Sequence, residues 1–118
     1  MPRTKVNGPE DRFAELTAIQ GETYSGEVQL FGPDGVTPID LTGYTVSAYL
    51  WNGDTLSVDG QACMVTPATG KIEINFTAAQ TAAFSPVAYH FELWATNGSG
   101  QSQLIIWGWF WVHGTCLG

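Results

Sequence analysis

Side chains able to do acid, base or nucleophilic chemistry are few in this chain and scattered: two histidines (His90, His113), two cysteines (Cys63, Cys116) and eleven acids. Hydrolysis or group transfer needs a nucleophile beside a base, paired carboxylates in a cleft, or several metal ligands in one place. The sequence contains no Gly-x-Ser-x-Gly elbow, no phosphate-cradling glycine loop and no His-Glu-x-x-His. Each histidine stands alone. His90 alternates with Glu92 along a strand, which suits a surface or interface side chain better than a general base. Asp34, Asp40, Asp54 and Asp59 fall in predicted turns, where the carboxylate bonds nearby backbone amides; two such loops are also the raw material of a calcium site, which nothing in the sequence requires. The cysteines are too few for a disulfide framework and match no zinc spacing with the histidines, so reduced, structural thiols are expected. The chain is therefore expected not to be an enzyme, with no catalytic residue, no metal ligand and no cofactor.

The elements that could position chemistry belong to one domain. At 118 residues, with 44% hydrophobic, 13% aromatic and 13% charged residues, the chain can bury one core and carries about half the charge usual in soluble domains. The formal net charge is −7, and three of the four basic residues (Arg3, Lys5, Arg12) lie in the first twelve positions. Beyond them Lys71 alone faces nine acids. Such a body repels phosphate, so neither nucleic acid nor an anionic membrane surface is an expected partner. The richest apolar run, residues 104–112, is half the length of a membrane span. No apolar stretch follows the first basic residues, so no secretory signal is expected and synthesis is expected in the cytoplasm.

Residues 1–11, with Pro2, Gly8, Pro9 and hardly a large apolar side chain, read as an extended arm preceding a domain over 12–118. A basic arm on a protein with an acidic body could lie on a neighbour's surface, through Arg3 and Lys5. From residue 13 the dominant period is two, as half-buried strands require. Strands are predicted over 13–19, 24–30, 45–51, 62–65, 71–76, 89–95 and 103–112, with turn chemistry at Gly32-Pro-Asp-Gly35, Asn52-Gly-Asp54 and Asn97-Gly-Ser-Gly100. Thr77-Ala-Ala-Gln80 has the form of a capping box opening one or two helical turns, which Ser85-Pro86 ends. Seven strands and one short helical crossover imply an all-β fold, an immunoglobulin-like two-sheet β-sandwich.

The last strand does not alternate apolar with polar. Ile105, Trp107, Trp109 and Trp111 share one phase, and Leu104, Ile106, Phe110 and Val112 share the other. Both faces are apolar, and the pattern leaves open which one meets the core. Tyr49 with Trp51, and Trp94 with His90, likewise sit opposite the evident core residues of their strands. In an immunoglobulin-like sandwich these three strands share a sheet, which would put the outward aromatics on one surface. A wide aromatic patch calls for a partner. The candidate interface is therefore Tyr49, Trp51, Trp94, Trp107, Trp109 and Trp111, with Arg3 and Lys5 of the arm. A sugar-binding platform is the alternative of another class, although the Trp107, Trp109, Trp111 row has few polar neighbours to orient hydroxyls.

Specific segments point to a family. Gln20-Gly-Glu-Thr-Tyr24, Asp34-Gly-Val-Thr-Pro-Ile-Asp-Leu-Thr-Gly-Tyr-Thr-Val46, Thr69-Gly-Lys-Ile-Glu-Ile74, Thr77-Ala-Ala-Gln-Thr-Ala-Ala83 and Tyr89-His-Phe-Glu-Leu93 together resemble the small immunoglobulin-like domain of tailed-phage structural proteins. Within that family the chain is similar to the N-terminal domain of the phage baseplate upper protein, over about residues 19–112. In the most specific segment, Asp40 and Thr42 are expected to cap a corner, Ile39 and Leu41 to plug the core edge, and Tyr44 to open the next strand. Ser85-Pro-Val-Ala88 departs from the family's Pro-Ala-Gly turn. The resemblance implies a virion structural protein that binds copies of itself and other virion proteins. No fibre or receptor-binding part is expected after the domain, which leaves a tail or baseplate component, a head-tail adaptor and a capsid decoration subunit as alternatives.

Overall fold

A strand with one face on a core must alternate buried and exposed side chains, because successive residues point to opposite sides of the sheet. The computed structural model, which describes residues 3–7, 13–32 and 34–114, shows that alternation along most of its strands. The order is β1 (Arg3–Asn7), β2 (Phe13–Ile19), β3 (Tyr24–Phe31), β4 (Thr45–Asn52), β5 (Thr55–Ala62), β6 (Met64–Thr66), β7 (Lys71–Phe76), α1 (Ala78–Ala83), β8 (Ala88–Thr96) and β9 (Ser102–His113). Arg12, Pro33, Cys116 and the expectations placed on them lie outside the described residues.

The strands form two sheets, one in the order β1-β3-β7-β6 and the other β2-β9-β8-β4-β5. Residues 3–7, expected as part of an extended arm, pair in parallel with β3, Arg3 opposite Glu27 and Lys5 opposite Gln29. The chain then crosses to the second sheet, where β2 runs parallel to β9 from Phe13–Trp107 to Ile19–His113. This switch lets one N-terminal segment cover an edge of each sheet, which shields backbone groups that would otherwise invite pairing with other chains.

Between the sheets lie Val28, Leu30, Ile72 and Ile74 from one side and Leu16, Val46, Leu50, Phe91, Leu93, Ile106 and Phe110 from the other, all buried. Each such side chain contributes roughly 1.5–3 kcal/mol by leaving water. One end is closed by Phe84, which follows α1 and packs edge-on against Phe76 at 5.3 Å. The helix begins as its sequence requires. Gln80 donates its backbone N–H to Thr77 Oγ1 at 3.1 Å while Gln80 Oε1 accepts the Thr77 N–H at 2.8 Å. Thr81, fully buried, fastens α1 to the β2–β3 turn by donating to the Glu22 carbonyl at 2.7 Å and accepting from the Gly21 N–H at 3.1 Å.

Several expectations are corrected. There are nine strands among the described residues where seven were expected; β1 and β5 were not foreseen, and the weak stretch over 62–65 is the end of β5 followed by β6. Asp59 lies in β5 and not in a turn. At the corner, Asp40 does cap Thr42 through both its N–H (2.9 Å) and its hydroxyl (2.6 Å), and Leu41 is buried. Ile39, however, points outward at 37% exposure while its N–H donates to the Leu30 carbonyl at 3.0 Å. In β9 the register against β8 shifts next to Trp94, which pairs with Leu104 while Leu93 pairs with Ile106. The extra residue, Ile105, turns inward beside Ile106, as a bulge allows, so it does not share the outward phase of the tryptophans.

Candidate functional site

The bulge fixes which face of β9 is which. Beyond it Ile106, Gly108, Phe110 and Val112 face the core, and Trp107, Trp109 and Trp111 face outward, 40–42% exposed. Directly opposed residues of neighbouring strands share a face, so the pairings trace rows across the outer surface of the five-stranded sheet. One row runs Phe13, Trp107, Glu92, Tyr49, Asp59, and the next runs Glu15, Trp109, His90, Trp51, Leu56. Trp111 follows in a third row between Thr17 and Ala88.

The rings touch one another. Phe13 meets Trp107 edge-on at 4.9 Å, Tyr49 stacks on Trp51 at 6.0 Å, and His90 bridges Trp51 (5.8 Å) to Trp109 (6.0 Å). Tyr49, Trp51 and Trp94 are half-buried. The structure thus brings Tyr49, Trp51, Trp94, Trp107, Trp109 and Trp111 onto one surface. It places Arg3 and Lys5 elsewhere, in β1 of the other sheet. Sequence reasoning missed Phe13 and Leu56, which are 41% and 42% exposed on the same face. Phe13 carried a usable signal, since it stands opposite in phase to the buried Ala14, Leu16 and Ala18; Leu56 carried none, because its strand does not alternate.

Glu92 is the half-buried carboxylate of this surface, whereas Glu15 and Asp59 in the same rows are exposed. Its Oε1 accepts the indole N–H of Trp94 at 2.8 Å and its Oε2 lies 3.0 Å from His90 Nε2. Beside it, Tyr49, Trp51, Leu56 and Trp94 form the apolar walls of a groove of ≈ 390 Å³, to which Ser47, Thr96 and Ser102 add hydroxyls. Elsewhere, Cys63 packs under the core edge, where burial pushes its thiol up to about 12, so it has little thiolate character at neutral pH. Among the described residues no three His, Cys, Asp or Glu side chains are grouped to hold a metal ion, and no helix is long and apolar enough to cross a membrane.

Sheets ordered β1-β3-β7-β6 and β9-β8-β4-β5, with β2 added beside β9, define an immunoglobulin-like sandwich. Its distinguishing surface is the aromatic outer face of the larger sheet. Among solved structures the chain is similar to the "N-terminal domain of phage TP901-1 ORF48", at 13% identity over 96% of this chain and 99% of that one, with a TM-score of 0.55. No protein-family model matches the sequence, and no curated protein matches it.

Proposed function

We propose that this chain is a non-enzymatic structural protein of a tailed-bacteriophage virion, assembling with itself and with neighbouring tail, baseplate or capsid proteins. The observation that carries the reading is the outer face of the larger sheet, where ring-to-ring contacts run from Tyr49 through Trp51 and His90 to Trp109. Monomers seldom leave a connected apolar area of that kind in water. A standard interface buries about 800 Å² per partner, and at roughly 25 cal/mol per Å² of apolar surface these rings outweigh any single surface ion pair. The likeness in fold to a phage domain and the sequence resemblance to tailed-phage structural domains support the virion as the setting. In this reading Arg3 and Lys5, on the edge strand β1, belong to a second contact, where a basic segment meets a neighbour's acidic body.

The test is incorporation into particles. Trp107→Ser and Trp109→Ser, made separately, should each abolish assembly while the free chain stays folded. Normal incorporation of both variants would remove the aromatic face from the mechanism.

A further inference from the structure

The groove beside Glu92 has a composition that the aromatic face as a whole does not. Three aromatic side chains, Tyr49, Trp51 and Trp94, surround a carboxylate that is only 22% exposed. No lysine or arginine of the described residues shares this face: Lys71 lies in β7, and Arg3 and Lys5 in β1, all in the other sheet. The neighbours of the carboxylate are the Trp94 indole and the His90 imidazole. A carboxylate set among ring faces attracts a cation twice over, through its own charge and through the negative faces of the rings. The chain's net charge of −7 acts in the same direction.

The polar groups narrow the cation further. A carboxylate can accept about four hydrogen bonds, and two positions on Glu92 are taken by Trp94 and His90. Glu92 itself lines the groove, whose rim adds Ser47 and the mutually bonded pair Thr96 and Ser102. The Trp94 N–H is already spent on Glu92, so what remains to be satisfied is chiefly acceptor capacity. A guanidinium is planar, weakly hydrated, rich in donors and able to lie flat on an indole or phenol ring. The donors left for a saccharide are the hydroxyls of Ser47, Tyr49 and the Thr96–Ser102 pair, whereas the ring faces and the carboxylate together select for a cation. A groove of ≈ 390 Å³ is at the small end of the range for ligand sites, enough for one side-chain head and its stem.

We infer that the groove formed by Tyr49, Trp51, Leu56, Glu92 and Trp94 receives the guanidinium of an arginine from a neighbouring virion protein. This rests on the assembly role proposed above and names the chemistry of the partner at one point of the face. The guanidinium lies between the ring faces with its N–H groups on Glu92 and the rim hydroxyls. It supplies register, because Glu92 is the carboxylate of this face that is set among ring faces and half-buried, whereas Glu15 and Asp59 of the same face are exposed to water.

The experiment is a titration of the free full-length chain at low ionic strength with N-acetyl-arginine amide, followed through the indole N–H NMR signals of Trp51 and Trp94. N-acetyl-lysine amide, tetramethylammonium and a neutral oligosaccharide are titrated in parallel. The expected result is saturable shifts with the arginine compound, at least tenfold tighter than with the other three, and weakened about tenfold or more in Glu92→Gln. Thermal unfolding of that variant reports its fold, and raised salt should weaken binding to the wild type independently of any variant. Absence of saturable shifts in the wild type, equal binding of lysine, tetramethylammonium or the saccharide, or binding that ignores both salt and a folded Glu92→Gln overturns the inference. Because the titration uses free chain, its failure leaves the assembly role standing; that role is read separately by the incorporation of the Trp107→Ser and Trp109→Ser variants.

Discussion

Gly108 of β9 lies against the Ala14 backbone of β2 so closely that a β-carbon on it would collide with the Ala14 carbonyl oxygen. The glycine interrupts the core-facing series Ile106, Phe110, Val112, and the space it leaves is what lets β2 run in register along β9. That register is also what sets Phe13 against Trp107. The aromatic face therefore depends on a residue of the opposite phase that has no side chain. Gly108→Ala should move or release β2 and cost about 1–3 kcal/mol, as overpacking of a filled interior does. Urea unfolding with a lower midpoint and an unchanged slope is the expected record; a midpoint equal to the wild type would show that β2 is not held as closely as described.

Phe110 and Trp109 are adjacent in sequence and face opposite ways. Phe110 is fully buried among Tyr24, Phe76 and Phe84, whereas Trp109 is 40% exposed. Phe110→Ala should cost about 3–5 kcal/mol, and Trp109→Ser should stay near the small changes typical of surface positions, about 0.5 kcal/mol. The two thermal unfolding curves decide the matter: comparable losses would mean that Trp109 is part of the core.

The loop after β3 is organised by one carboxylate. Asp34 accepts from the Thr37 hydroxyl at 2.6 Å and from the backbone N–H groups of Thr37 and Val36, each at 2.9 Å. Led by the Thr37 hydroxyl bond, these lower its pKa from 3.8 to about 2. Because the folded value lies below the unfolded one, the stabilisation is fully present above about pH 4 and is lost as pH falls through about 2. NMR titration of the Val36 and Thr37 amide signals should show a midpoint near 2 that disappears in Asp34→Asn; a midpoint at the ordinary Asp value would mean that the loop bonds do not persist in solution.

Replacing Arg3 and Lys5 together by glutamine tests the second contact without removing β1, which deleting the segment would do at the expense of the β3 edge. Incorporation into particles should fall, and should already be weak for the wild type in high salt. Equal incorporation at every salt concentration would take these charges out of assembly.

What the sequence made legible, and what it did not, follows from how local each signal is. Ile72, Ile74 and Phe76 alternate with polar residues, and Tyr89, Phe91 and Leu93 do the same, so β7 and β8 and their buried faces could be read directly. The capping box at Thr77 and the corner bonds of Asp40 span two or three residues and were legible for the same reason. Strand β5 was not, since Thr55–Ala62 is an edge strand with little buried surface and hence no alternation to read. The outward set of Tyr49, Trp51, Trp94, Trp107, Trp109 and Trp111 was legible as a phase, strand by strand. Its continuity was not, because Phe13 and Glu92 join it through pairings between residues far apart in the chain. The bulge at Ile105 was equally hidden: both phases of residues 104–112 are apolar, and only the register against β8 tells them apart.

The central claim is that the outer face of the five-stranded sheet is covered by another protein chain in the assembled particle. Electron-microscopic reconstruction of that particle, at a resolution that places this subunit and its side chains, tests it most directly. The account predicts Trp107, Trp109 and Trp111 excluded from solvent against a neighbouring subunit in the assembled copies. A subunit whose aromatic face is open to solvent in every copy, with its contacts made elsewhere, would contradict it.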